Sequence, residues 1–524
     1  MNERTQPDEN AAATAVTPLF EPRDLDRLRQ ALAGYRVESV HDLLGPAGQS
    51  AHARGDLAGV GRHVRRSDDR PLATLIELFL LGTDVPEADA RAALSPLPLE
   101  TAHGAGLLEV SAGAVRARLD VRPYAEALPA RPGSPSAAAE TWWVVSDFGS
   151  DVRPGPLAPD HVLGIGSASV TLARATPRVP VGRALDLGTG CGIQALHLGQ
   201  HARHVVGTDI SARALRLAAT TAALSDQTWD LRRGSLLSPV AGEQFDLVVA
   251  NPPFVVSAGT GGYDYRDSGL EGDGVCRELF TGLPSVLAPG GTAQLLANWI
   301  IPTDQSWQER LAGWLDGLGC DAWVWQREVV EPGEYVSMWL RDAGEAPGSA
   351  RWTSLYGAWL DWFAASAVVG IGMGLVTLWR SDAADPVLVM EDVPQAVEQP
   401  VGGHLPGWIE RQRWLAATPD EQLRTARVRA ADGLVRSTDD LLGADGWAPA
   451  ISRLRQSYGM RWEVEVDDSI ASLVAGCDGA TPLFAPITVL AASLDVPVAE
   501  VADAVLPVVR DLIGRGFLRP EDGL

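Results

Sequence analysis

Lysine is missing from this 524-residue sequence, so arginine supplies all 43 residues of the Lys and Arg total. Because 67 acidic residues outnumber them, the formal net charge is -24. A field of that sign repels polyanions at long range and excludes a global electrostatic attraction to nucleic acid. The densest basic run, residues 62–66, is followed by Asp68 and Asp69. That pattern favours a solvated surface over a phosphate contact.

Cysteine is scarce as well, with only four residues in the chain. They are scattered and form no CxxC pair, which argues against a disulfide framework and a zinc ribbon. The first ten residues, MNERTQPDEN, lack both the basic and the apolar region of an export signal. We therefore expect a protein of the reducing cytoplasm.

Long hydrophobic runs are missing, with one exception. The uncharged stretch Trp362–Trp379 just reaches the length needed to cross a membrane. Three glycines interrupt it, and Asp361 and Arg380 bound it. We expect the end of a helix followed by a buried strand, GLVTLWR, and no membrane partner.

The length and composition indicate a modular globular chain. Hydrophobic residues make up 46% and charged residues 21%, as is usual for soluble domains, and 524 residues are too many for one core. The predicted order is a disordered segment at 1–19, a winged-helix-like module at 20–126, a linker and lead-in at 127–159, an α/β domain at 160–345, a helix–strand extension at 346–404 and a second winged-helix-like module at 405–524.

The two flanking modules are predicted from helical periodicity and turn signals. The first has predicted helices at Arg23–Ala33, Leu72–Leu81 and Glu87–Leu94, then a hairpin at 107–121 that turns at Ser111–Gly113. The segment 127–140, rich in Pro, Ala and Ser, is typical of a linker.

A weak internal repeat relates the two chain ends. Residues 70–94 and 481–505 each contain an apolar helix pattern followed by Asp-Val-Pro and a second helix pattern. Asp84 and Asp495 are expected as helix N-caps, with the prolines in the first turn. A chance likeness between two ordinary helical pairs stays open.

Between the modules, strand and helix patterns alternate. The predicted strands are Arg183–Leu187, His204–Asp209, Asp230–Arg233, Phe245–Ala250, Thr292–Asn298, Trp323–Arg327 and Tyr335–Arg341. The predicted helices are Ile193–Gly199, Ala212–Leu224 and Gly274–Leu287. This order predicts an α/β fold with a Rossmann-like, doubly wound, mainly parallel sheet of seven strands, whose ligands bind at the carboxyl ends of the strands.

A glycine-rich turn follows the first predicted strand, in RALDLGTGCGIQALHL at residues 183–198. Gly188, Gly190 and Gly192 let the backbone approach a ligand closely. Asp186 is an expensive choice at a buried strand end unless it has a polar role. The glycine spacing alone is ambiguous, because dinucleotide-binding folds use a similar turn.

The second predicted strand, HVVGTD, ends in Asp209, about twenty residues after the glycine turn. An acid at this position hydrogen-bonds the ribose hydroxyls of a nucleoside. The alternative is a cap for the helix that starts near Ala212. A nucleoside ligand is the interpretation we favour.

The fourth predicted strand runs directly into Asn-Pro-Pro-Phe, in FDLVVANPPF at residues 245–254. The Asn251 side-chain oxygen and the Pro252 carbonyl are acceptors that can orient a planar NH₂ group for methyl transfer. Phe254 can stack on a planar substrate. A dehydrogenase has no need of this tetrapeptide, although a plain turn also uses Asn and Pro.

With these motifs, residues 160–341 resemble the class I S-adenosyl-L-methionine-dependent methyltransferases of the Asn-Pro-Pro-Phe/Tyr type. The likeness is greatest to release-factor glutamine methyltransferases and to small-domain ribosomal RNA N-methyltransferases. It extends to the run 263–274, which includes YRDSGLEGDG, and to DHVLGIGSASVTLA at 160–173, which lies where relatives place a segment that closes over the cofactor.

The resemblance implies a set of site residues and S-adenosyl-L-methionine as the cofactor. The cofactor residues are Asp186, Gly188, Thr189, Gly190, Gly192, Asp209, Ile210, Ser235, Leu236 and Asn251. The catalytic residues are Asn251, Pro252, Pro253 and Phe254. Two departures stand out: Gly234-Ser235 replaces the acid or polar group usual near adenine, and Phe254 replaces the Tyr usual in release-factor enzymes.

The sequence therefore predicts an N-methyltransferase that acts on a planar amide or exocyclic amine of a macromolecule, either a protein glutamine or an RNA base. The alternatives are a small-metabolite methyltransferase and a cofactor-sensing winged-helix regulator. His197, His201 and His204 have helical spacing, but no Cys or HExxH pattern accompanies them, so no metal is expected. Trp323, Trp325 and Trp339 are expected to pack the sheet, and the alternative is that they stack on bases.

Overall fold

The computed structural model describes residues 16–126, 140–259, 269–381, 383–444 and 446–521. The chain forms two compact units, one containing residues 16–126, 140–173 and 179–392 and the other residues 174–178 and 393–521. Most of the segment 1–19 and nearly all of the segment 127–140, predicted as a disordered end and a linker, lie outside the described residues.

The amino-terminal part of the first unit is mainly helical. Its helices are α1 Pro22–Ala31, α2 Val37–Ala53, α3 Leu57–Val64, α4 Arg70–Leu75, α5 Glu87–Ala93 and α6 Leu99–Gly104. Its strands are β1 Val85–Pro86, β2 Leu108–Ser111 and β3 Ala114–Ala117, which pair in the order β1-β3-β2. The three predicted helices and the hairpin are confirmed, with a π-helical turn continuing α4. Helix α2 escaped prediction because Gly45, at φ 60°, kinks it before Pro46.

A two-stranded antiparallel ribbon follows, formed by β4 Asp120–Tyr124 and β5 Trp142–Ser146. Tyr124 pairs with Trp142 at one end of the ribbon, and Asp120 pairs with Ser146 at the other. Since opposed residues of an antiparallel pair share a face, these four side chains lie on the same side.

The rest of the first unit is an α/β fold. Its strands are β6 Val181–Leu187, β7 Ala202–Asp209, β8 Asp230–Arg233, β9 Phe245–Ala250, β10 Leu287–Pro302, β11 Cys320–Val330, β12 Val368–Arg380 and β13 Leu388–Asp392. Its helices are α7 Ser167–Ala175, α8 Ile193–Leu198, α9 Ala212–Leu224, α10 Gly274–Gly282, α11 Trp307–Leu315, α12 Pro332–Asp342 and α13 Ala350–Ala365.

These strands form one sheet in the order β13-β11-β12-β10-β9-β6-β7-β8. All neighbouring pairs are parallel except the two that involve β12, which is antiparallel to β10 and β11. The main apolar core lies between this sheet and helices α10 and α11, where Phe245, Phe280 and Trp299 are completely buried. The carboxyl ends of β6, β7, β8 and β9 therefore share one edge of the sheet.

The seventh strand was predicted wrongly. Residues Tyr335–Arg341 belong to α12, which begins after Glu331 and has Pro332 in its first turn. Residues of the segment 346–404, predicted as a separate extension, supply β12 and β13 instead, so the sheet has eight strands and not seven. Of the three tryptophans expected to pack the sheet, Trp323 and Trp325 do so, whereas Trp339 is on α12.

The stretch Trp362–Trp379 contains the end of α13 and most of β12, as predicted. Within the described ranges, no helix combines the length and apolar character needed to cross a membrane.

The second unit contains helices and two small sheets. Its helices are α14 Leu405–Ala417, α15 Asp420–Thr425, α16 Asp468–Gly476, α17 Phe484–Leu494 and α18 Val498–Gly514. Its strands are β14 Arg427–Ala430, β15 Leu434–Gly443, β16 Gly446–Gln456, β17 Glu463–Glu465, β18 Asp478–Pro482 and β19 Leu518–Pro520. The strand orders are β18-β14-β19 and β15-β16-β17.

The expected helix caps of the internal repeat are wrong. The N-caps of α5 and α18 are Pro86 and Pro497, while Asp84 binds Arg116 through two hydrogen bonds of 2.5 and 2.9 Å. Asp495 instead ends α17 in a left-handed conformation. The two copies also differ because strand β1 lies within the first Asp-Val-Pro segment and no strand lies within the second.

Candidate active site

The glycine-rich turn connects β6 to α8. Gly188, Gly190 and Gly192 have φ values of 74°, 55° and 93°, all in the left-handed region where a Cβ is strained. Asp186, 1% exposed, holds the turn together: one carboxylate oxygen accepts the Thr189 hydroxyl at 2.7 Å and the Ala195 N–H at 3.0 Å. Burial raises the pKa of the Asp186 carboxyl to about 7.

Asp209 ends β7 and binds the same turn. Its two carboxylate oxygens accept the Gly190 N–H at 2.9 Å and the Ser211 N–H at 2.8 Å. The next side chain, Ile210, is 55% exposed at this edge of the sheet. The capping alternative for Asp209 is not what the structure shows, since Ser211 caps α9 through the Ala214 N–H.

The segment after β8 lies at the same edge. Ser235 is exposed, and its carbonyl oxygen accepts both the N–H and the hydroxyl of Ser238. Leu236 has a φ of 46° and packs against the main core. This strand end thus carries a serine hydroxyl beside an apolar side chain and no acid.

Asn251 follows the end of β9 and lies beside the glycine turn. Ala250 pairs with Leu187 across the parallel strands β9 and β6, and a Cβ built on Gly188 would lie 3.9 Å from the Asn251 carbonyl oxygen. The half-buried Asn251 side-chain amide makes no hydrogen bond with any residue that the structure describes. An amide in this setting has its donors and its acceptor ready for a ligand.

The two prolines form a tight turn after Asn251. The carbonyl oxygen of the buried Pro252 accepts the Phe254 N–H at 2.8 Å, across the half-buried Pro253. One lone pair of the Pro252 carbonyl is therefore used within the protein, and the second is left for another donor.

Helices α12 and α13 pack against this turn. The Phe254 ring meets the Trp339 ring edge-on, with centroids 6.1 Å apart. The Tyr335 hydroxyl accepts the Val256 N–H at 2.9 Å, and the Trp359 indole donates to the Val256 carbonyl at 3.1 Å. Sequence reasoning missed this aromatic wall, although the aromatic residues of α13 already stand at helical spacing.

Comparison with known proteins assigns the central part of the chain. Residues 163–312 match the family model described as "Methyltransferase small domain". This part of the chain is a class I methyltransferase domain. Residues 32–118 and 406–520, on either side of the methyltransferase domain, match two families described as domains of unknown function, DUF7059 and DUF7782.

Three curated relatives illustrate the similarity of the methyltransferase domain to known enzymes. The ribosomal RNA small subunit methyltransferase C of Alcanivorax borkumensis is 32% identical over 135 residues, 26% of this chain and 35% of that protein. The release factor glutamine methyltransferase of Geobacter sulfurreducens is 33% identical over 153 residues, 27% of this chain and 52% of that protein. The ribosomal protein uL3 glutamine methyltransferase of Bradyrhizobium diazoefficiens is 30% identical over 176 residues, 31% of this chain and 54% of that protein.

The chain thus spans between a third and about half of the length of these relatives. A solved methyltransferase structure from Pyrococcus furiosus matches at 13% identity over 44% of this chain and 92% of that chain, with a TM-score of 0.26, too low to support an argument.

The run 263–274 is described from residue 269 onward in the methyltransferase domain. There the carboxylate of Asp273, 6% exposed, accepts the Ile300 N–H at 2.9 Å and pairs with the Arg310 guanidinium at 2.7 Å. Gly272 forms a bridge to Ser257, so this segment returns to the strand end that carries Asn251. The part of the run at residues 263–268 lies outside the described residues.

The three histidines with helical spacing do not converge. His197 is buried and its Nε2 lies 2.8 Å from the Tyr124 hydroxyl, His201 bonds the Val179 carbonyl, and His204 is on β7. No group of three or more potential metal ligands occurs in the part of the chain that the structure describes.

Proposed function

We propose that the methyltransferase domain binds S-adenosyl-L-methionine and methylates a planar amide or exocyclic amine nitrogen of a macromolecule. The observation that carries the proposal is the unbonded Asn251 amide beside Gly188, which brings an acceptor clamp against the glycine-rich turn. A dinucleotide oxidoreductase has no use for this pairing.

The residues at the sheet edge fit the cofactor. Asp209 lies at the carboxyl end of β7, and its bonds to the N–H groups of Gly190 and Ser211 fix its carboxylate beside the glycine-rich turn. Exposed Ile210 offers an apolar surface for an adenine ring. Space beside Gly190 is open, with no atom within 4 Å of a built Cβ. The buried Asp186 stabilises this turn by accepting hydrogen bonds from Thr189 and Ala195.

The Asn-Pro-Pro-Phe turn fits a planar NH₂ group. The two N–H groups of the acceptor donate hydrogen bonds to the Asn251 side-chain oxygen and to the remaining lone pair of the Pro252 carbonyl. These two bonds fix the orientation of the nitrogen, so that its lone pair points toward the methyl group to be transferred. The bound cofactor supplies an electrophilic methyl group on a sulfonium. Phe254, held by Trp339, stacks on the planar acceptor. Once methylated, the nitrogen is acidic enough to lose its proton to water, so the site needs no strong base.

The names of the relatives support a macromolecular acceptor. One is named for ribosomal RNA, one for a release factor and one for a ribosomal protein, and the last two are glutamine methyltransferases. Both predicted kinds of macromolecule, RNA and protein, are therefore represented among the relatives. The four cysteines are free and buried, which supports our placement of the protein in the cytoplasm.

We also propose that the flanking parts are winged-helix-like modules that present the substrate. Support for the first is its chain order, helix α4, strand β1, helices α5 and α6, then the hairpin, with β3 central in the sheet. In the second, α16 to α18 alternate with β18 and β19 in the same manner, but the central strand β14 precedes them in the chain.

The substitution Asn251→Ala tests the proposal. We expect it to retain most affinity for S-adenosyl-L-methionine in calorimetry and to lose about a hundredfold or more in turnover, because orienting the acceptor is worth several kcal/mol. Turnover is measured with labelled cofactor and fractionated cell extract, sorted into RNA, protein and small molecules. Asn251→Asp keeps nearly the same side-chain shape, and we expect its turnover to be low as well because it adds a negative charge. Normal turnover of Asn251→Ala would exclude the clamp.

A further inference from the structure

A polar cleft of about 950 Å³ lies within the first unit, between the β2–β3 hairpin region and helix α9 of the methyltransferase domain. One wall contains Glu109 and Arg118, and the other contains Arg213 and Arg216 on the first two turns of α9. This cleft is separate from the Asn-Pro-Pro-Phe turn, and none of the residues named there lines it.

The cleft carries more positive than negative charge. Four arginines line it against the two acids Glu109 and Asp147. Arg213 is engaged, since its guanidinium binds both oxygens of Asp147 at 2.5 and 2.6 Å. Arg118 and Arg216 are exposed, and their guanidinium groups make no hydrogen bond or ion pair with any described residue. Two positive charges thus face the cleft without an ion pair to a described residue, and Glu109 is the one lining acid outside the Arg213–Asp147 pair.

The fourth arginine, Arg153, lies among charges of both signs. The Arg153 guanidinium lies 4.7 Å from the centroid of the Phe148 ring and donates to the Ala117 carbonyl. Burial, and then the charge of Arg116, lower the pKa of the Arg153 guanidinium, whereas Asp147 and Glu109 oppose that shift and Arg118 adds to it more weakly. An anion in the cleft would relieve this repulsion.

Helix α9 adds to the positive potential. Its first turn lines the cleft through Ala212 and Arg213, and the amino end of a helix carries a partial positive charge from unsatisfied N–H groups. On a chain with a net charge of -24, this is a local reversal of sign. One guanidinium group can donate two parallel hydrogen bonds to two oxygens of a phosphate. The cleft should therefore bind a phosphate more tightly than a weakly charged ligand.

We propose that this cleft binds the phosphate backbone of an RNA strand and that RNA is accordingly the acceptor class of the methyltransferase domain. The first statement, that the cleft binds RNA, is independent of the proposed function. The second statement, that RNA is the acceptor class, rests on it. Helix α9 begins three residues after Asp209, so the cleft adjoins the edge of the sheet that carries the candidate site. Only β6 separates β7 from β9, which places their ends about 10 Å apart. An extended RNA strand is long enough to span that separation.

Binding of a fluorescein-labelled single-stranded RNA to the full chain, without cofactor, tests the first statement. We expect Arg118→Gln/Arg216→Gln to weaken binding at least about tenfold. Because each phosphate contact to a single strand contributes about 0.7 to the slope of log affinity against log salt, that slope should fall by about 1.4. The matched control is Arg62→Gln/Arg203→Gln, which removes the same charge from two exposed arginines without described partners. Arg203 is at the amino end of β7, on the opposite edge of the sheet, and Arg62 belongs to the basic run of α3.

Each outcome decides. Equal losses in both double variants, or a loss in the control alone, would overturn the cleft as the RNA site. Displacement of the RNA by inorganic phosphate at an equal phosphate concentration would show a small-anion site and overturn the RNA assignment.

The second statement, that RNA is the acceptor class, is tested by kinetics. The cleft variant should raise KM for RNA and leave kcat and cofactor affinity unchanged. Cleft-dependent RNA binding by a chain that fails to bind the cofactor would sink the proposed function and leave the anion site standing. Methylation of protein alone by a chain that binds RNA in the cleft would overturn RNA as the acceptor.

Discussion

The Asp209 carboxylate joins the glycine-rich turn to the start of α9, through one bond to Gly190 and one to Ser211. We expect Asp209→Ala to weaken binding of S-adenosyl-L-methionine by about one to two decades, since a hydrogen bond to a charged group is worth about 1.5–3 kcal/mol. Calorimetry measures the affinity. Asp209→Asn keeps an acceptor oxygen and should lie between the wild type and Asp209→Ala. Unchanged affinity in both variants would remove Asp209 from the cofactor site.

The buried Asp186 predicts a pH-dependent stability. Its folded pKa, about 7, is above the ordinary value of 3.8, so between these pH values the native state binds the proton that the unfolded state releases. The contribution of Asp186 to stability therefore falls as pH rises from about 4 to 7, by at most about 4 kcal/mol. Denaturant unfolding at several pH values should show this loss in the wild type, and Asp186→Asn should reduce it. An identical pH profile for both proteins would contradict the role given to burial.

At this scale the motifs predicted positions better than contacts. The glycine turn, Asp209 and Asn251 are adjacent in the structure because they end neighbouring parallel strands, which the alternation of strands and helices already implied. The sequence did not predict the hydrogen bond from the Thr189 hydroxyl to Asp186 or the one from the Phe254 N–H to the Pro252 carbonyl. Both depend on local backbone geometry that no sequence pattern indicates. The roles of individual residues toward the cofactor stay predictions.

Among the elements, α12 shows how a strand prediction fails. Tyr335, Val336, Trp339 and Leu340 repeat at helical spacing, and Pro332 is in the first turn, where proline is favoured. This spacing is the sequence signal that distinguishes the segment from a strand. The strands predicted earlier match β8 and β9 and lie inside β6, β7, β10 and β11. Except for β8, which has no buried residue, they contain short buried runs of the kind that predicts a strand.

Helix α12 contacts the chain next to the Asn-Pro-Pro-Phe turn through the Tyr335 hydroxyl. We expect Tyr335→Phe to lower the free energy of unfolding by about 1–3 kcal/mol, because it leaves the buried Val256 N–H without the hydroxyl that accepts it. Turnover should fall further than cofactor affinity, since Val256 is two residues from Phe254. Thermal unfolding and calorimetry measure the two effects. As a control, Tyr458→Phe removes a hydroxyl from a side chain that is 64% exposed and should change neither. Full stability of Tyr335→Phe would show that this bond is dispensable.

For the whole molecule, the β4–β5 ribbon joins the amino-terminal part to the methyltransferase domain. The Tyr124 hydroxyl lies 2.8 Å from Nε2 of His197 on α8, and the Trp142 ring meets the same imidazole edge-on with centroids 5.3 Å apart. The Val145 N–H donates to Thr221 of α9 at 3.1 Å. The ribbon thus supports both helices that follow the glycine turn and Asp209.

Trp142→Ala tests this support. Trp142 is 1% exposed, so its loss should reduce stability by about 3–5 kcal/mol and weaken cofactor binding at temperatures where the variant remains folded. Trp447, 71% exposed on β16, provides the control, and Trp447→Ala should shift stability by no more than about 0.5 kcal/mol. Cofactor affinity equal to that of the wild type in folded Trp142→Ala would mean that the ribbon is only an attachment.

The place of β14 at the centre of the sheet β18-β14-β19 constrains the order of events during synthesis. β14 leaves the ribosome before either partner, and its second partner, β19, comes only after α18. At about 5–20 residues per second, both edges of β14 lack their strands for several seconds. Over that interval the unpaired edges of β14 can associate with other chains, while the methyltransferase sheet, complete at β13, has every strand it needs to fold.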